Sequence, residues 1–263
     1  MTEPSPKMKS EAPRGKSDTA TIAKTESANL NTSDTSESTT TSGTALRQTA
    51  DWKLPVIVIV LGLVSGLVMT MQFPPVIGLG TLVRLPAFHG ALTWANFIIF
   101  GVMGIVALYA FFAHKAHLYS WVKALRFSAI GLWIFNFALG LFASSLTWNF
   151  EAGSQPAIFY FLQEPRVQMQ FLVSMMGLVI LVLPLIFIKW RTLSLFDGIY
   201  GFLTLILAYI AANAGSSLHP PSPVMNAEES IIRFTFLTMA LSLIIMSSGV
   251  VMLVRSCILA KMK

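Results

Sequence analysis

The chain has four histidines, His89, His114, His117 and His219. Two of them carry the most specific chemistry in the sequence. His89 ends the segment PPVIGLGTLVRLPAFHG (74–90), at the mouth of an apolar stretch, and His219 lies in GSSLHPPSPVMNAEES (215–230), just ahead of two prolines and another apolar stretch. They come from separate segments, each beside a predicted helix end, so both can project into one space. Two neutral imidazoles facing each other can ligate a haem iron from both sides. A haem also brings two propionates, which call for cationic partners, arginine above all because its planar fork meets a carboxylate with two bonds. Arg84, Arg166 and Arg233 stand at the same ends as these histidines. Haem propionates would account for them, as would Glu164, Glu228, Glu229 or lipid phosphate. For the histidine pair the structural alternative is interfacial packing or helix capping.

The other two histidines flank Lys115 in a basic loop. Two histidines without a carboxylate read as solvated loop residues rather than a metal site. The run Trp148, Phe150, Phe159, Tyr160, Phe161 has two readings as well. Aromatic side chains gather at membrane–water interfaces without any ligand, and the same rings would offer a flat apolar shelf to a haem face.

The elements that must position these residues are transmembrane helices. Of 263 residues, 54% are hydrophobic and 11% charged, whereas a soluble domain carries about a quarter charged. A helix crosses the bilayer in roughly 20 mostly apolar residues, and six such stretches are present, near 54–73, 87–113, 124–147, 167–188, 196–213 and 231–254. The expected fold is all-α: a polytopic membrane protein of six antiparallel spanning helices. Residues 1–53 hold seven basic and seven acidic side chains among Ser, Thr and Ala. Such a segment buries too little to offset its ordering entropy and is expected to be a disordered cytoplasmic tail, leaving 54–263 as the membrane domain. No secretory signal pattern follows Met1.

Lysine and arginine set the expected orientation. One set of connections holds Lys53; Lys115, Lys123 and Arg126; Lys189 and Arg191; and Arg255, Lys261 and Lys263, while the alternate set holds only Arg84, Arg166 and Arg233. The basic set is expected in the cytoplasm together with both termini. The segments 74–88, 148–166 and 214–230 then lie on the outer side.

Further polar residues fall within the spans, where they are functional candidates by default. Asn96 follows His89 by two helical turns and either bonds a neighbouring helix or orients the imidazole. Asn136 and Asn213 read the same way, with helix–helix bonding the favoured role. Asp197, three residues after Ser194, suits a helix N-terminus. Pro184 is expected to kink the fourth span, and Gly101, Gly104, Gly131 and Gly140 to let helices approach closely. The absence of paired intramembrane carboxylates argues against a proton-coupled pump, and the scattered methionines read as packing. The single cysteine, Cys257, excludes an internal disulfide framework. There is no GxxxxGK[ST] loop, so any ATP hydrolysis belongs to another chain.

Three strings in order carry a family resemblance: Arg84-Leu-Pro-Ala-Phe-His89-Gly-Ala-Leu-Thr-Trp94, an aromatic loop closed by Glu164-Pro165-Arg166, and Ser217-Leu218-His219-Pro220-Pro221-Ser222. In these the chain resembles the CcmC-type haem-handling proteins of cytochrome c maturation, relatives of the CcsA/CcmF family, over roughly residues 54–255. Those proteins have six spans, an Arg-x4-His string at the start of the second, a tryptophan-rich outer loop ending in an acid and an arginine, and a Thr-Leu-His-Gln-Pro string before the sixth. Of that loop's tryptophans only Trp148 remains here.

The resemblance implies a membrane protein that is not itself an enzyme, in the inner (cytoplasmic) membrane. It implies that haem b is held transiently at the outer leaflet between His89 and His219, the metal ligands. Propionates would lie on Arg84, Arg166 or Arg233, with Trp94 and Trp148 lining the site. The implied partners are an ABC-type ATPase, a second permease subunit and a periplasmic haem chaperone that receives the haem; no nucleic acid is involved. Two other readings remain open: a permease subunit of an ABC-type exporter without haem of its own, and a membrane electron-transfer subunit. The last normally needs histidine pairs at mid-membrane depth.

Overall fold

The computed structural model describes residues 52–76, 79–147, 163–187, 189–214 and 229–261. Six helices run through them: α1 (Lys53–Gln72), α2 (Arg84–Phe112), α3 (Tyr119–Thr147), α4 (Pro165–Ile186), α5 (Trp190–Asn213) and α6 (Ser230–Lys261). All six are long and apolar enough to cross a membrane. Single 3₁₀ turns, Thr81–Val83 and Ala116–Leu118, lead into α2 and α3. No strand is present among the described residues. With no water in the hydrocarbon core, each segment satisfies its own backbone by coiling into a helix.

Four of the helices, α2, α3, α5 and α6, are longer than the apolar stretches that mark them, while α1 and α4 match theirs in length. The second begins at Arg84 rather than 87, the fifth at Trp190 rather than 196, and the sixth runs to Lys261 rather than 254. Hydropathy registers the hydrocarbon crossing, whereas a helix continues through interfacial turns whose charged side chains reach past the apolar layer. Arg191 illustrates this. It lies in the first turn of α5, stacks 4.7 Å from the Phe111 ring and donates from Nε to the Phe111 carbonyl at 3.3 Å.

Helix α2 is the centre of the bundle and packs on α3, α5 and α6; α1 lies on α6, and α4 on α5 and α3. Apolar side chains gain little by leaving lipid, so close packing and interhelical hydrogen bonds hold the helices together. Gly249 of α6 faces the α1 backbone, where an added Cβ would lie 2.9 Å from the Ile59 nitrogen and 3.0 Å from the Pro55 oxygen. Ser65 and Ser242 bond across the same contact at 2.9 Å. Gly201 of α5 meets α2 equally closely, its added Cβ falling 2.6 Å from the Phe100 oxygen. The glycines expected to do this work divide. Gly104 and Gly140 lie against side chains of neighbouring helices and Gly101 only loosely so, whereas Gly131 is exposed with nothing within 4 Å of its added Cβ.

Asp197 is not an N-terminal cap. Helix α5 starts seven residues earlier, so Asp197 sits in its interior, fully buried, with both carboxylate oxygens 3.5 Å from Nη1 of the equally buried Arg126 of α3. Ser194 instead donates to the Trp190 carbonyl of its own helix at 3.0 Å. Arg126, placed by sequence in a basic connection, belongs to this buried pair. Asn213 bonds the Tyr209 carbonyl of its own helix at 2.7 Å and, among the described residues, joins no other helix. Pro184 lies in the last turn of α4, which ends at Ile186.

Where α2, α3, α4 and α5 meet, an aromatic cluster fills the interior. Phe100 stands edge-on to Trp133 (5.6 Å) and to Tyr200 (5.4 Å), and the Tyr200 hydroxyl donates to the Val173 carbonyl at 2.9 Å.

Candidate functional site around His89

His89 is not at the mouth of its helix. It lies five residues after Arg84, the first residue of α2, which at 1.5 Å per residue is about 7.5 Å along the axis. Its half-buried ring points inward at α3 and α4. Nδ1 is 3.1 Å from the Asn136 carbonyl oxygen and 3.0 Å from Asn136 Oδ1. A carbonyl only accepts, so Nδ1 carries the proton and, in the neutral ring, Nε2 keeps its lone pair. Asn136 is held in turn: its Nδ2 donates to Thr93 Oγ1 at 2.8 Å, and that hydroxyl donates to the His89 carbonyl at 2.9 Å. The three residues form a closed circuit between α2 and α3.

Nε2 faces α4. The side-chain amide nitrogen of Gln170 stands 3.5 Å away, a long hydrogen bond. Gln170 is buried, and its backbone carbonyl accepts from Trp133 Nε1 at 3.2 Å and from Ser174 Oγ at 2.8 Å. Gly140 of α3 closes the ring's remaining side, where an added Cβ would lie 2.5 Å from Cε1 and 2.9 Å from Nε2. Glycine is required here because the imidazole occupies the place of a side chain.

Each residue proposed from sequence to hold haem can now be placed, save two. His219 and Trp148 lie outside the described residues, as do Phe150, Phe159, Tyr160 and Phe161 of the aromatic run and Glu228. Arg84 is half-buried and donates from Nε to the Phe73 carbonyl at 3.2 Å, tying the start of α2 to the end of α1. Arg166, half-buried, is the second residue of α4. Four residues before Gln170, it shares the face that meets His89, one turn farther out. Arg233 is exposed on α6. Trp94 is also exposed and stands edge-on to Phe236 of α6 at 6.4 Å; five residues from His89, it points about 140° away around the helix. Helical spacing therefore puts Arg166 on the α4 face that carries Gln170, while Trp94 and Arg233 are exposed.

Asn96 bonds the Leu132 carbonyl of α3 at 3.5 Å, a helix–helix role, while its buried Oδ1 has no partner among the described residues. The imidazole is oriented by Asn136 instead. Sequence reading favours helix bonding for Asn136, with imidazole orientation as the alternative, and passes over Thr93, Gln170 and Gly140 as partners of His89. Thr93, one turn after the histidine, was the available cue; the others come from helices whose rotation no single segment specifies.

The arrangement can present a neutral, tautomer-fixed imidazole to an electrophile at Nε2. That is the donor a haem iron takes, and a ring whose other nitrogen is tied to a carbonyl is the usual support for a ligating histidine. In donor chemistry the site fits haem. In the arrangement described, Gln170 and Gly140 fill the space beside Nε2. His114 and His117 are exposed beside the 3₁₀ turn at the other end of α2. Comparison with protein-family models, curated proteins and solved structures finds no match to this chain.

Proposed function

We propose that this protein binds haem transiently at the outer end of its helix bundle and delivers it for c-type cytochrome assembly, as the resemblance to CcmC-type proteins implies. One observation supports this most: His89 is held in a single tautomer, with Nε2 toward the α4 face on which Arg166 lies one turn farther out. Haem, when bound, supplies an iron that takes an imidazole on each face and two propionates that need cations. His89 and His219 are the proposed ligands. Arg166 is the proposed propionate partner, with Arg84 and Arg233 at the same end of the bundle, and Trp94 and Trp148 the proposed aromatic walls. Asn136 fixes the tautomer of the imidazole and aims it. Gln170 covers Nε2 when the site is closed.

The same reading places the protein in the cytoplasmic membrane, with its termini inside. It works beside an ATP-hydrolysing partner and a second permease chain, and hands haem to a chaperone on the outer side. A second reading, a permease subunit with no haem, is favoured by one feature: both His89 nitrogens are engaged and the ring is packed on Gly140, which also makes it a clamp between α2, α3 and α4.

Visible spectra of the purified protein with added haem separate the two. Under the haem reading a Soret band appears for wild type and is lost in His89→Ala and His219→Ala, while Gln170→Ala, which uncovers Nε2, binds haem faster. The same spectrum from wild type and both histidine variants would leave the permease reading.

A further inference from the structure

The far end of the bundle carries a feature that this function does not use. Between α2, α3 and α6 lies an apolar cavity of about 410 Å³. Ile99, Leu125 and Val251 form its walls, and Ile98 and Val102 at its rim are exposed toward lipid. Trp121 and Met252 line this cavity and also a smaller one of about 140 Å³, which Arg255 and Ser256 share. The two spaces adjoin: one is apolar, and the other is headed by a cation at the α6 C-terminal end.

Arg255 is placed as an anion ligand. Its guanidinium carbon sits 4.1 Å from the centroid of the Trp121 ring. That contact uses the flat face of the group and leaves its donor-bearing edge. Nε is buried with no hydrogen-bond partner among the described residues, and a buried charged donor calls for an acceptor. Among the described residues no acidic side chain lines either cavity. An α-helix with its side chains is about 10 Å across, so the apolar space suits an alkyl chain rather than a helix. Basic pockets between spanning helices are established sites for anionic head groups.

We propose that the two cavities form one binding site for an anionic phospholipid of the leaflet at the α6 C-terminus, with an acyl chain between α2, α3 and α6 and its phosphate on Arg255. This site is independent of haem.

The test uses the full chain in detergent, titrated with phosphatidylglycerol or phosphatidylcholine and read by native mass spectrometry. Wild type should retain phosphatidylglycerol preferentially. Arg255→Gln should lose about fivefold in that affinity, since one basic side chain near an anionic surface contributes about that factor, and should leave phosphatidylcholine unchanged. Ser248→Phe, which fills the apolar cavity from an exposed position, should weaken both lipids. Ser248 is exposed and Arg255 half-buried, and circular dichroism of each variant checks that the helices persist. Equal retention of the two lipids by wild type would overturn the proposal, as would phosphatidylglycerol binding unaffected by either substitution. If Ser248→Phe instead changed the oligomeric state with lipid retention intact, the groove would belong to a protein helix, and the lipid site would be refuted.

Discussion

His89 is a histidine whose tautomer is chosen by another residue. The Asn136 backbone oxygen fixes the proton on Nδ1, and the Asn136 side chain repeats the instruction while locking itself to Thr93. Under the haem proposal, Asn136→Ala keeps the backbone acceptor but frees the ring to rotate. Loss of such an outer support typically costs 10–100-fold in ligand affinity, and a haem titration of this variant should show a loss in that range with the Soret position unchanged. The stability effect should be small, because interhelical side-chain bonds in membranes average about 0.6 kcal/mol. The Arg126–Asp197 pair behaves differently. Removing one partner strands a charge among packed helices, so Asp197→Ala should destabilise by about 3–5 kcal/mol, whereas Arg126→Met with Asp197→Leu should recover most of that loss. Chemical unfolding in mixed micelles compares the three; equal destabilisation by the single and double variants would refute the argument.

At the scale of helices, the decisive contacts are backbone to backbone. Gly249 and Gly201 have no room for a Cβ without moving the facing main chain, and Gly140 has none without evicting the His89 ring. Leucine at 249 should separate α1 from α6 and lower the melting temperature by several degrees, since overpacking a tight site costs typically 1–3 kcal/mol. Leucine at Gly131, exposed with nothing near it, should stay within about 0.5 kcal/mol of wild type. Gly131→Leu therefore controls for the size of the new side chain, and a melt that falls equally for both variants would contradict the packing described. Sequence could mark both glycines as small residues in apolar helices. It could not tell which one faces a neighbour, because that depends on the rotation of each helix about its own axis.

At the scale of the molecule, the alternation of basic and acidic connections proposes a cytoplasmic C-terminus. Cys257, the sole cysteine, is exposed near the end of α6, so the native chain carries its own reporter. A membrane-impermeant maleimide should label it in inverted membrane vesicles and not in intact spheroplasts. Labelling in spheroplasts would reverse the orientation, and with it the side on which His89 opens.

The number of spans and their approximate limits were legible in the sequence because each helix must be apolar over a length fixed by bilayer thickness, a one-dimensional property. His89 was legible as a candidate as well, from a rare residue type beside arginines against the charge trend. Other features needed the tertiary structure. Asn136 rather than Asn96 supports the imidazole, Gln170 covers it, Asp197 pairs with Arg126 instead of capping a helix, and Trp94 turns away. Each of these depends on which faces of separately specified helices meet. An apolar helix surrounded by lipid has little periodic contrast between its packed and exposed sides, so its rotation is set by small residues and a few interhelical bonds, and those exist only once the bundle has assembled.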